Sequence, residues 1–83
     1  MSSAPETPRL LGVIECFTAV VRQCPKAAAR AMAESALATV ERDGSRVLAE
    51  QAYLVLSALS GWHGERAAQV KRSLQAFVEG AEN

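Results

Sequence analysis

The sequence predicts an all-α fold: a small bundle of four short helices, with the third helix central or at a subunit interface. Three observations carry this expectation. Apolar residues recur at helical rather than alternating spacing, proline and glycine fall between the periodic runs, and 16 of the 83 residues are alanine, the strongest helix former. The length allows one domain, placed at residues 7–80, with residues 1–6 a disordered tail and 81–83 a frayed end.

Thr7-Pro8 offers a capping hydroxyl followed by a proline suited to a first helical turn, so the first helix is expected to start there. At about 100° per residue, Leu10, Val13, Ile14, Phe17, Val20, Val21 and Cys24 share an arc of about 120° and are expected to face inward. Glu15, Ala19, Arg22 and Gln23 fall outside that arc, Cys16 at its partly exposed edge. Pro25 ends the helix. The second, Lys26 to Arg42, should turn Ala29, Met32, Ala33, Ala36, Leu37 and Val40 inward, a face that allows close approach but carries little apolar area. Gly44 can adopt the left-handed conformation that stops a helix, and Ser45 can cap the next.

In the third helix, Arg46 to Ser60, the residues Val47, Leu48, Ala52, Leu54, Val55, Leu56, Ala58 and Leu59 spread over roughly 220° of the circumference. Such a helix needs apolar neighbours on more than one side. Gly61-Trp62-His63-Gly64 breaks it, and Glu65 to Glu79 carries a narrower stripe of Ala67, Val70, Leu74, Phe77 and Val78. The similarity of Arg30-x-x-Ala33-Glu34-x-Ala36 to Arg46-x-x-Ala49-Glu50-x-Ala52 involves common helix formers and is too short to establish a repeat.

Composition narrows the function. Nine basic and nine acidic side chains balance, which argues against the counterion-driven attraction to nucleic acid or acidic membranes. Glu15 interrupts the early apolar stretch and no apolar run approaches the roughly 20 residues of a spanning helix, so neither a leader nor a membrane segment is expected. Two cysteines eight residues apart on one helix would lie about 12 Å from each other, beyond a disulfide's reach, which suits a reducing, cytoplasmic setting.

No catalytic constellation is readable: there is one histidine, no CxxC spacing and no phosphate-binding loop. The expectation is no enzyme, no metal and no cofactor. Cys24 is expected to be a buried hydrophobe and His63 a helix-terminal surface residue. Trp62 either plugs the bundle or marks a binding hot spot, and Gln51 is either a buried, register-setting amide or a boundary residue. The leading expectation is a non-enzymatic protein-interaction module, a small regulator, adaptor or assembly subunit acting by helix-face docking. It would be homodimeric or bound to a protein partner, with Val47, Gln51, Leu54, Ala58 and Trp62 in contact. The alternative is a DNA-binding helix-turn-helix over residues 53–75, in which Arg66, Gln69 and Arg72 face the groove, although the charge balance and a second glycine at Gly64 argue against it.

Overall fold

The computed structural model describes residues 11–82, and within them the chain is all-α. Four helices, α1 (Val13–Gln23), α2 (Ala27–Asp43), α3 (Leu48–Ala58) and α4 (Glu65–Glu82), are joined by short connections, with a 3-10 turn over Ser45–Val47 leading into α3. The expected tail at residues 1–6 and the Thr7-Pro8 helix start lie outside the described residues. Gly12 is extended at the head of α1, so the regular helix begins at Val13. Its cap is the Glu15 carboxylate, whose Oε1 accepts the Gly12 N–H at 3.0 Å. Ser45 does not cap α3 through its side chain, because the chain enters that helix through the tighter 3-10 turn. The third helix closes two residues early, at Ala58, while α4 continues through Gly80 to Glu82.

The turn chemistry matches the punctuation read from the sequence. Pro25 cannot extend α1, whose last carbonyls are taken by the Cys24 N–H (to Val20, 3.0 Å) and whose Cys24 carbonyl accepts the Arg30 guanidinium at 2.9 Å. Gly44, at φ 86° and ψ −172°, adopts a backbone conformation almost confined to glycine. It ends α2 with its N–H on the Val40 carbonyl at 2.7 Å.

Each helix packs on its neighbour in sequence, α4 returns against α1, and α1 touches α3 across the centre. Three contacts set the antiparallel register of α1 and α4: Leu11 N–H on Ser73 Oγ (2.9 Å), Cys16 Sγ against the Val70 carbonyl (3.9 Å), and Arg66 Nε on Gln23 Oε1 (3.3 Å). Phe17, Val20, Val55, Leu59, Val70 and Leu74 fill the core, and Ala29, Ala33, Ala36, Ala52 and Ala67 form small-residue seams between the helices.

Two expectations about α1 are corrected. Cys16 is fully buried rather than at an exposed edge, and Ala19 is buried rather than outward, while Ile14 is 46% exposed. The inward face is rotated toward α4, because small side chains fit where two helices meet closely and a bulky Ile14 is displaced to the rim. The alanine-rich face of α2 is as expected: Ala29, Ala33 and Ala36 are buried, and Met32, Leu37 and Val40 pack against the core edge.

Candidate interaction surface

With α1, α2 and α4 all in contact with it, α3 is covered on most of its circumference. Ala52, Val55 and Leu59 are buried, and Leu56 and Ala58 are half-buried against the core. The outer side is held open by Glu50, Tyr53, Leu54 and Ser57, one face at helical spacing. Tyr53 is 58% exposed and Leu54 38%; together with Ile14 they are the exposed large hydrophobic residues among those described. The Ser57 hydroxyl bonds the Tyr53 carbonyl at 2.9 Å and so withdraws one polar group from this face.

The expected contact residues divide into two groups. Val47, Gln51, Leu54 and Ala58 follow one another along a single flank of α3, three of them half-buried and Leu54 exposed. The Gln51 side chain makes no hydrogen bond within the described chain, yet no buried side-chain N or O atom among these residues lacks a partner. Its amide therefore reaches solvent, as a boundary residue does. Trp62, at 6% exposure, lies in the core cluster with Leu59, so of the two positions its place in the sequence allowed it takes that of a plug. Tyr53, on the exposed side of the flank, takes its place as the aromatic of the surface.

On α4, Arg66 and Arg72 are exposed and Gln69 is half-buried. Arg66 is committed within the bundle, donating Nε to Gln23 and NH1 to Gln69 Oε1 at 2.8 Å. The connection from α3 to α4 spans six residues, 59–64, with positive φ at Gly61 and Gly64, longer than the three or four of a helix-turn-helix. His63 is exposed in this connection.

No group of three or more His, Cys, Asp or Glu side chains converges among the described residues. Both cysteines are free and buried, and burial pushes the Cys16 thiol up to about 11, reinforced by Glu15 and opposed by a hydrogen bond with Ser73 and by Arg66. A thiol so protonated is a poor nucleophile near neutral pH. No helix among the described residues is long and apolar enough to cross a membrane. No family model matches the chain, and comparison with curated proteins and with solved structures found no match.

Proposed function

We propose that this chain is a non-enzymatic, cytoplasmic protein-interaction module that docks through the outer face of α3, either on a second copy of itself or on a larger protein, as a small regulator, adaptor or assembly subunit does. The observation that carries the reading is the pair Tyr53 and Leu54, two large apolar side chains exposed side by side on a helix whose other sides are covered. Val47, Gln51 and Ala58 border them and supply a mixed rim.

The magnitude of this patch says what kind of contact it makes. Fully burying one large apolar side chain is worth about 1.5–3 kcal/mol, and these two are partly covered already, so a symmetric pair gains about 5 kcal/mol. That only matches the lower end of the association cost of about 4–15 kcal/mol. Self-association through this patch alone is therefore weak, and tight binding requires a partner that also covers the Val47–Gln51–Ala58 flank. The longest uncharged stretch of the chain, Gln51 to Gly64, runs through this surface, so contact here depends little on salt.

Sedimentation equilibrium of the chain and of its Tyr53→Ser/Leu54→Asp variant tests the proposal. Reversible association at high micromolar concentration, insensitive to salt and abolished in the variant with an unchanged melting temperature, supports it. A strict monomer in both, or association that survives the double substitution, overturns the self-docking form. Photo-crosslinking from position 53 in the native host then decides whether a larger protein takes that face.

A further inference from the structure

Between the start of α2 and the end of α3 a single residue interrupts the helical course of the chain. α2 runs to Asp43, the 3-10 turn covers Ser45–Val47 and α3 follows at Leu48, so Gly44, at φ 86° and ψ −172°, is the one residue outside a helix. Residues 27–58 contain no proline and no other glycine. The Gly44 N–H already bonds the Val40 carbonyl, as the next residue of a continuing α2 would. Straightening the chain here therefore turns chiefly on the dihedral angles of Gly44. It would make residues 27–58 one helix roughly 48 Å long.

In that form the α1–α2 and α3–α4 hairpins of one chain point apart and lose the core they share. A second copy can restore it. Phe17 and Val20 of α1 belong to one cluster with Val55, Leu59, Val70 and Leu74 of the second hairpin. The contacts Leu11–Ser73, Cys16–Val70, Gln23–Arg66 and Lys26–Ser60 each join a residue before Gly44 to one after it. All of these can form between two chains as they do within one, so exchange requires no new surface. What holds the single chain closed is Gly44 itself. Its backbone conformation is almost confined to glycine, and a Cβ there would meet nothing within 4 Å, so conformation rather than crowding selects the residue.

We propose that Gly44 is a hinge for hairpin exchange: residues 27–58 straighten into one helix, and two copies of the chain pair by each packing its α1–α2 hairpin on the α3–α4 hairpin of the other. This stands independently of docking through the outer face of α3, because the exchanged pair is held by the core and not by Tyr53 and Leu54.

The test places spin labels at two exposed positions, Ala31 in α2 and Ser57 in α3, with excess unlabelled chain added before refolding so that only distances within one copy are read. In the closed chain these positions lie on neighbouring antiparallel helices, near the Lys26–Ser60 contact; along one continuous helix they stand roughly 39 Å apart. Refolded at high micromolar concentration, the parent should yield a dimer fraction that shows the long distance and separates slowly on dilution, since the shared core must part first. Gly44→Ala disfavours the closed turn and favours the helix in both chains, and should tighten dimerisation about a hundredfold or more. Inserting two glycines after Gly44 relaxes the turn and should leave a folded monomer with the short distance alone. Tyr53→Ser/Leu54→Asp should leave the exchanged dimer intact, although it removes docking through α3. A folded Gly44→Ala chain that stays monomeric, a dimer with only the short distance, or a dimer lost on the α3 double substitution overturns the proposal. Absence of the long distance from the refolded parent does so without recourse to any variant.

Discussion

Ala33 lies at the middle of α2, fully buried, with Ala29 and Ala36 on the same face and α1 and α3 packed to either side. Replacing it by leucine inserts a branched side chain where the helices meet on alanine. A well-packed seam cannot admit it without moving a helix, and overpacking of this kind costs about 1–3 kcal/mol. A chain of 83 residues has a total stability of about 4–12 kcal/mol, so the loss is a large fraction of the whole. Ala31, in the same helix but exposed, supplies the control: leucine there should alter stability by less than about 0.5 kcal/mol. Urea unfolding followed by the fluorescence of Trp62, the single tryptophan and a core residue, reads both variants on one probe. If the Ala33→Leu midpoint equals or exceeds that of Ala31→Leu, the helices stand far enough apart to accept the larger side chain, and the close-packed seam is refuted.

Three further outcomes are expected. Below pH 9 the Cys16 thiol is protonated in both folded and unfolded chains; between an ordinary 9.0 and about 11 only the unfolded chain releases the proton, so stability falls as pH rises. At up to about 1.4 kcal/mol per pH unit the loss from this group reaches about 2 kcal/mol by pH 11, and Cys16→Ala should flatten the stability profile over that window relative to the parent; identical slopes would count against a buried thiol. Ser73→Ala removes the acceptor of the Leu11 N–H and should cost about 1 kcal/mol, with faster hydrogen exchange at the Leu11 amide as its specific sign and unchanged exchange there as the contrary result. Titration with duplex DNA at low salt should show no binding; affinity that falls steeply with salt and is lost on Arg66→Ala plus Arg72→Ala would instead revive the helix-turn-helix reading.

The number and order of helices are legible in the sequence because their ends rest on local chemistry: Pro25 has no N–H to give, and Gly44 takes a conformation other residues avoid. The inward face of α2 is legible for a similar reason, since its few larger side chains flank the alanine seam on one side of the helix. Faces that depend on where a neighbour lies are not. A hydrophobic arc locates the average apolar direction of α1, but α4 approaches on the Cys16–Ala19 side, and small residues there are buried while Ile14 is left out. The same limit applies to α3, where an apolar spread of roughly 220° cannot say which part three neighbours will cover. Trp62 illustrates it most clearly: its position after a helix end suits both a plug and a hot spot, and only the packing of Leu59 and its surroundings places it inside. The contact of α1 with α4, made by residues 43 apart in sequence at Gln23 and Arg66, leaves no local pattern to read.

The Lys26 ammonium, which reaches the Ser60 carbonyl at 2.6 Å, joins the first helical hairpin to the second at the end of α2 remote from Gly44, about 25 Å away. With Arg30 on the Cys24 carbonyl, the N-terminal end of α2 places one cation on the carbonyl that closes α1 and another on a carbonyl two residues past the end of α3. The two halves of the molecule are thus joined at both ends of α2, covalently at Gly44 and by a charged contact at Lys26, in addition to the contacts between α1 and α4. A nick at Gly44 would leave the Lys26 contact, the three α1–α4 contacts and the shared core intact, so the halves should remain mated as a split pair.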